Sequence, residues 1–149
     1  MKLFSTMDIS ASALTAQRLR MDVISSNIAN VETTRGQLVN GKWQPYTRKM
    51  VVMEPYSQDS FNQVLSRYLG SSITEGVRVT KIINDPTPYK RVYQPNHPDA
   101  DENGFVLYPN VDLLKEMVDM ISATRAYEAN VTALNATKSM LTKALEIGR

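Results

Sequence analysis

The sequence of 149 residues contains no cysteine, which excludes disulfide bonds, thiol nucleophiles and cysteine-ligated zinc or iron–sulfur centres. It has a single histidine, His97, and it lacks the motifs G-x-S-x-G, G-x-x-x-x-G-K-[ST] and G-x-G-x-x-G. A catalytic or metal-ligating histidine usually needs a partner base, acid or second ligand, and none is identifiable here outside one acidic turn. We therefore expect no enzyme, no cofactor and no metal site.

Long apolar runs and long basic runs are also missing. No stretch approaches the roughly 20 apolar residues that span a bilayer. The N-terminus is not typical of a cleavable signal, because Asp8 interrupts it and no apolar core follows Lys2. The formal net charge is +2, and no basic run exceeds two residues. We expect neither direct membrane insertion nor a nucleic-acid partner, and any export would use a route without a cleaved signal.

Proline and glycine are absent from two long segments, residues 1–35 and 110–147. All seven prolines lie between Pro45 and Pro109, and five of the six glycines lie between Gly36 and Gly104. Because these residues break helices, the distribution predicts an α+β fold. Long N- and C-terminal helices would pair as a coiled-coil-like helical domain, with a small, mainly β domain inserted between them. The predicted segments, in chain order, are helix, β-rich domain and helix: 1–35, 36–108 and 109–149.

Apolar side chains recur every seven residues in both predicted helices, as in a coiled-coil seam. The N-terminal row is Met7, Leu14, Met21 and Ile28. The C-terminal row is Leu113, Met120, Tyr127, Leu134 and Leu141, and a second row four residues further on is Met117, Thr124, Val131, Lys138 and Leu145. At 1.5 Å per residue the C-terminal helix would be about 55 Å long and the N-terminal one about 40 Å. This mismatch favours packing of some of the seam on neighbouring chains.

The middle segment has the composition of short strands. The stretches "YTRKMVVMEP" and "VRVTKIIND" are rich in β-branched or alternating residues and predict two strands, while "FNQVLSRYLG" predicts one short helix over residues 61–70. Trp43 and six of the seven tyrosines also lie in this segment. They are more typical of the core and rim of a small β module than of a recognition surface.

The stretch "HPDADENGFVLYPN" begins like a calcium-binding loop. Asp99, Asp101, Asn103 and Gly104 occupy the first ligand positions and the glycine position, but Asn110 stands where such a loop needs a bidentate glutamate. Prolines also precede it where a helix should enter. We interpret it as an acidic turn in which Gly104 takes a positive φ. Asn110 is predicted to cap the C-terminal helix, so the stretch would be a hinge formed around Gly104 and Asn110.

Two terminal patterns carry a resemblance to a known family. In "ALTAQRLRMDVISSNIANVETT" the positions that match an A/S-N-x-A-N-x-x-T core are Asn27, Ile28, Ala29, Asn30 and Thr33. In "NVDLLKEMVDMISATRAYEANVTALNATKSML" the positions that match an E-M…R-x-Y-x-x-N pattern are Glu116, Met117, Arg125, Tyr127 and Asn130. With "NHPDADENGFVLYPNVD", which has Phe105 where tyrosine is common, the chain resembles the flagellar basal-body rod proteins, and among them the proximal rod subunits, over nearly its whole length.

The resemblance implies a structural role. Such subunits are exported through the flagellar type III apparatus and assemble helically into the drive shaft, beyond the cytoplasmic membrane in the periplasm or cell-wall region. Implied partners are other rod proteins, copies of the same chain, and adaptor proteins of the membrane ring and export gate at the rod base. The terminal helices would pair in the inner layer of the tube, and the middle segment would form an outer domain.

The expected assembly interface combines the apolar heptad positions with two asparagines of the N-terminal pattern. Its members are Met7, Leu14, Met21, Ile28, Asn27, Asn30, Leu113, Met117, Met120, Tyr127, Val131, Leu134, Leu141 and Leu145. Two alternatives from other functional classes stay open at this point. One is a small calcium-binding module that uses Asp99, Asp101 and Asn103, and the other is a soluble coiled-coil adaptor with a tyrosine-lined peptide site.

Overall fold

A computed structural model describes residues 2–39, 41–56 and 76–147. Helix α1 (Lys2–Ala29) opens the chain and helix α2 (Leu113–Ile147) closes it. The strands between them are β1 (Gln37–Val39), β2 (Lys42–Gln44), β3 (Lys49–Tyr56), β4 (Gly76–Asn84), β5 (Lys90–Tyr93) and β6 (Phe105–Tyr108). The predicted α+β class, with long terminal helices around a small β region, is confirmed. The helix predicted for residues 61–70 lies outside the described residues.

The strands pair in two-stranded sheets. Strand β3 pairs with β4, and these are the two strands that the sequence predicted. Strands β1 and β2 form an antiparallel pair in which Gln37 lies opposite Gln44, and β5 and β6 form another in which Lys90 lies opposite Tyr108. Gly41, between β1 and β2, has a φ of 78°, a conformation that glycine adopts without steric cost.

The described chain forms two compact units, and each helix contributes to both. The first unit contains residues 2–19, 52–56, 76–81 and 123–147. The second contains residues 20–39, 41–51 and 82–122. The second unit therefore combines the C-terminal end of α1 with the N-terminal turns of α2 and most of the strand residues.

In the first unit, α1 and β4 approach each other closely at Ser12. The hydroxyl of Ser12 donates to the carbonyl oxygen of Ile9 (2.7 Å) and accepts from the backbone N–H of Val77 (3.1 Å). A Cβ atom at Gly76 would lie 2.7 Å from the Ser12 Oγ, so a larger residue there would force the Ser12 hydroxyl out of its present position. Ala16, one turn further along α1, is buried. Small side chains on α1 therefore allow this close approach.

Side chains end α1 and begin α2. At the end of α1, Asn30 Nδ2 donates to the carbonyl oxygen of Ser26 (2.8 Å), which satisfies a carbonyl of the last helical turn. At the start of α2, Asp112 Oδ1 accepts from the backbone N–H of Leu114 (3.1 Å) and so caps the helix. The predicted cap at Asn110 is therefore wrong. Its amide group bonds instead to the backbone of Arg48 and to Thr87, and the helix starts three residues after it.

Candidate functional site: two sides of helix α2

The first predicted row of α2 is partly buried over most of its length. Met120, Tyr127, Leu134 and Leu141 are half-buried, whereas Leu113, at the start of the helix, has 46% of its surface exposed. Three of the five positions in the second predicted row are exposed: Met117 (50%), Lys138 and Leu145 (76%). The other two, Thr124 and Val131, are half-buried. The row of α2 that is most buried is therefore a different one.

The most buried positions of α2 are polar or small. Glu116 and Ala123 are fully buried, Thr137 is 8% exposed, and Asn130 between them is half-buried. These residues repeat every seven positions. Each lies three residues after one member of the first predicted row and four residues before the next, so the two rows are adjacent on the helix surface. A search for apolar heptads passes over this row because three of its four members are polar and the fourth is alanine.

The opposite side of α2 exposes apolar side chains. Leu114 is 73% exposed, Met117 50%, Val118 59% and Ile121 61%. We call these four residues the outer apolar face. At 100° per residue, Leu114, Val118 and Ile121 lie about 140–160° around the helix from Glu116. Contiguous exposed apolar surfaces of this kind are typical of interaction sites, whereas single scattered apolar residues are not.

Predicted interface positions on α1 are less exposed. Met7, Leu14, Met21 and Ile28 are all half-buried. The buried apolar residues of this helix stand at neighbouring positions: Ala16, Val23 and Ile24. The predicted heptad row of α1 is thus half-buried. Among the described side chains of α1, no large apolar one is exposed, in contrast to the outer apolar face of α2.

Asn27 is the centre of a buried polar cluster in the second unit, with 1% of its surface exposed. Its Nδ2 donates to the carbonyl oxygen of Lys49 (2.9 Å) and to Glu116 Oε2 (3.0 Å). Its Oδ1 accepts from the Tyr46 hydroxyl (2.9 Å) and from the backbone N–H of Lys49 (3.0 Å). The amide therefore uses both donors and both acceptor positions that asparagine offers. Asn27 joins α1, β3 and α2.

Arg48 links this cluster to three carboxylates. Its Nε donates to Glu116 Oε1 (2.6 Å), its Nη1 to Asp85 Oδ2 (3.1 Å), and its Nη2 lies 3.7 Å from Asp119 Oδ2. Burial disfavours the charge of Arg48, but the hydrogen bonds and charges of Glu116 and Asp85 outweigh it, so the pKa of the guanidinium is raised. Asp119 also lies 3.7 Å from Nη2 of Arg20 on α1. We call Asn27, Arg48 and Glu116 the buried polar cluster.

Asn110 and Asp85 hold the chain that leads into α2. Asn110 Oδ1 accepts from the backbone N–H of Arg48 (2.8 Å), and its Nδ2 donates to the Thr87 hydroxyl (2.9 Å). Asp85 Oδ1 accepts from the backbone N–H and the hydroxyl of Thr87, and these bonds, with the Arg48 guanidinium, lower the pKa of the Asp85 carboxyl although burial opposes them. Lys90 Nζ donates to the carbonyl oxygen of Val111 (2.5 Å).

The acidic turn is tied to another part of the second unit. Asp99 Oδ1 accepts from Arg35 Nε (2.7 Å) and its Oδ2 from the Thr34 hydroxyl (2.8 Å), and the Arg35 bond is the main reason that the pKa of Asp99 is lowered. Gly104 has the positive φ that the sequence predicted, 76°. Among the described residues, no group of three or more histidine or acidic side chains is arranged to hold a metal ion.

The chain matches known sequences at both ends and over its whole length. Residues 7–36 match the family model "Flagella basal body rod protein", and residues 102–147 match "Flagellar basal body rod FlgEFG protein C-terminal". "Flagellar basal-body rod protein FlgC" of Bacillus subtilis is 55% identical, with 100% of both chains covered. The protein of the same name from Borreliella burgdorferi is 46% identical (99% of this chain, 98% of the relative).

A third relative with this name, from Salmonella typhimurium, is 40% identical over 100% of both chains. In the described part of the chain no helix is both long and apolar enough to cross a membrane. The contact between Asn27 and Glu116 joins the two segments that the family models match. Because the identity is this high over the full length of the relatives, the chain belongs to the family of flagellar basal-body rod proteins.

Proposed function

We propose that this chain is a structural subunit of the bacterial flagellar basal-body rod, without enzymatic activity. Relatives that are 40–55% identical over their full length carry the name of a basal-body rod protein. The observation in the structure that carries the proposal is the outer apolar face of α2. Its burial against neighbouring subunits would gain about 25 cal/mol for each Å² of apolar surface removed from water.

The proposed assembly is helical and uses both terminal helices. The segments 1–35 and 109–149 would form the assembly layer, and residues 36–108 the outer domain. Because each subunit in a helical tube has several neighbours, modest contacts add up to a rigid shaft. The contacts proposed from the sequence at half-buried positions, such as Tyr127 and Leu134, would complement those of the outer apolar face.

Partners and location follow from the same role. The chain would assemble with copies of itself and with other rod proteins in the basal body. At the base of the rod it would meet adaptor proteins of the membrane ring and export gate. It would reach the periplasm or cell-wall region through the flagellar type III export apparatus. The comparisons lend no support to the alternatives of a calcium-binding module or a soluble coiled-coil adaptor.

Charged substitutions on the outer apolar face test the proposal. We expect Val118→Asp with Ile121→Asp to abolish swimming, because two carboxylates would have to be buried without partners at subunit contacts. The purified variant should unfold within about 0.5 kcal/mol of the unchanged chain, as is usual for surface substitutions. The measurements are swimming in cells that depend on this chain, rod content of isolated basal bodies, and denaturant unfolding.

Asn135→Asp is the matched control, since Asn135 is an exposed polar residue of the same helix that lies about 21 Å along the axis from Ile121. It adds a carboxylate without touching the outer apolar face, and we expect normal swimming. Cells that swim normally with the Val118→Asp and Ile121→Asp chain would show that this face takes no part in assembly. Loss of swimming together with loss of the folded monomer would identify a folding defect instead.

A further inference from the structure

Helix α2 is oriented against the hydrophobicity of its own residues. In its first turns the fully buried residue is Glu116, while Leu114 and Val118 are 73% and 59% exposed. Hydrophobic burial alone would rotate the helix so that leucine and valine faced the interior and glutamate faced water. Some other interaction must therefore hold the helix in the orientation observed.

The contacts of Glu116 supply that interaction. Each of its carboxylate oxygens accepts one hydrogen bond, from Arg48 Nε at 2.6 Å and from Asn27 Nδ2 at 3.0 Å. A rotation of α2 that brought Leu114 inward would break both bonds. Arg48, whose side chain is 13% exposed, would then lose its closest carboxylate. Asn27 Nδ2 would keep its bond to the Lys49 carbonyl, but its second N–H would lose its acceptor. Uncompensated buried charge is strongly unfavourable.

A second contact fixes the position of α2 along its axis. Asp119 follows Glu116 by three residues, nearly one helical turn. Its carboxylate lies 3.7 Å from Nη2 of Arg20 on α1 and 3.7 Å from Nη2 of Arg48. Arg48 therefore meets both Glu116 and Asp119, and Arg20 meets Asp119, so a slide of α2 by one turn would separate both carboxylates from these cations.

We propose that Asn27, Arg48 and Glu116 are positioning residues that hold the outer apolar face of α2 toward solvent, where a partner can reach it. Their contribution is orientation rather than stability, since a buried ion pair can often be replaced by apolar residues of similar volume without loss of stability. This goes beyond the function proposed above, because it concerns the isolated chain and is tested without any rod. The orientation selected by these residues determines which surface the subunit offers for assembly.

The test exploits the cysteine-free sequence. Val118→Cys places one thiol on the outer apolar face, and its rate of maleimide labelling reports the exposure of that face in the purified full chain. We then replace the pair as a whole, with Arg48→Met and Glu116→Met, so that neither charge is left buried alone. The expected result is a folded, helical chain whose denaturation midpoint lies above that of Glu116→Met alone, although Asp85 loses its bond from Arg48. Labelling at position 118 should slow at least about tenfold, since a buried thiol reacts only through local opening.

Two further chains complete the design. Arg125→Met with Glu128→Met removes an exposed Arg–Glu pair of the same helix, with side chains 78% and 56% exposed, and should leave labelling at position 118 unchanged. Glu116→Met alone should be less stable than the double replacement, because it leaves Arg48 without its closest carboxylate.

Three outcomes would overturn the proposal. The first is a double variant that labels at the original rate, since α2 would then keep its orientation without the pair. The second is a double variant that loses its helical structure, because the pair would then stabilise the fold instead of selecting an orientation. The third is a slowing of equal size in the Arg125→Met, Glu128→Met control, which would show that the effect does not depend on buried charges.

Discussion

The two sides of α2 contrast in what they contain and in how their groups are satisfied. The inner side has polar groups at Glu116 and Asn130 and small residues such as Ala123, and its buried carboxylate has a hydrogen bond on each oxygen. The outer side has Leu114 and Val118 exposed to solvent without apolar cover. Most helices of globular proteins have the reverse arrangement. The difference teaches that this sequence is consistent with its fold only when the surfaces of other chains are counted as part of its environment.

The largest expected effect comes from breaking the inner side at Asn27. Asn27→Asp would place a carboxylate 3.0 Å from the Glu116 carboxylate and another acceptor against the carbonyl oxygen of Lys49. We expect a loss of at least about 3 kcal/mol in the free energy of unfolding, because a buried charge would have no compensating partner. Denaturant unfolding at neutral pH measures it.

Asn30→Asp is the control for that substitution. Asn30 lies one turn away, is half-buried, and uses its Nδ2 in a single bond to Ser26. Its replacement should therefore cost only about 1 kcal/mol, the usual value of one hydrogen bond. Equal losses at positions 27 and 30 would contradict the view that the inner side of α2 depends on the specific bonds of Asn27.

The sequence predicted the fold well because its main features are local. Residues 1–35 and 110–147 contain neither proline nor glycine, so the two terminal helices and their approximate ends could be inferred. The alternation in "VRVTKIIND" located β4. The positive φ of Gly104 was also predictable from turn chemistry. Each of these inferences uses residues that are neighbours in the chain.

The inner side of α2 could not be predicted because it depends on distant contacts. Arg48 is 37 residues from Asp85 and 68 from Glu116, and nothing near it in the sequence indicates either pairing. The family resemblance drew attention to Asn27 and Glu116 but not to their contact. Asn110 was assigned as the helix cap because its residue type suits that position, whereas Asp112 has both the right type and the right place.

A second prediction asks whether the orientation of α2 also depends on the loop before β6. A Cβ atom at Gly104 would lie 2.9 Å from Tyr93 Cε2 and 3.3 Å from the Cβ of Pro95, and φ there is positive. Gly104→Val should therefore destabilise the chain by at least about 2 kcal/mol, since left-handed backbone alone costs 1–2 kcal/mol for a residue with a side chain. We expect non-motile cells, because the chain entering α2 would be displaced.

Gly41→Val is the matched control. Its φ of 78° is nearly the same, but a Cβ atom there would have nothing within 4 Å. A valine at position 41 therefore strains the backbone through its positive φ but causes no side-chain clash, and it lies in a hairpin far from α2 along the chain. Normal swimming with Gly104→Val would refute the hinge role of this glycine and leave the orientation of α2 to the buried polar cluster.

The smallest expected effect concerns pH and the carboxylate of Asp85. The pKa of this carboxyl is lowered from its ordinary value of 3.8 by the bonds from Thr87 and by Arg48. A lowered pKa means that the folded state favours the charged form. The contribution of Asp85 to stability is therefore fully present above pH 3.8 and is lost as the pH falls through the lower pKa of the folded state.

Asp85→Asn should cost about 1 kcal/mol at pH 7, since Arg48 keeps Glu116 and loses one charged partner. The difference between the two chains, measured by urea unfolding from pH 7 to pH 2, should shrink toward zero at the acid end. A difference in unfolding free energy that stayed constant over this range would show that the negative charge of Asp85 does not stabilise Arg48. The charge interactions of Arg48 that matter would then be those with Glu116 and Asp119.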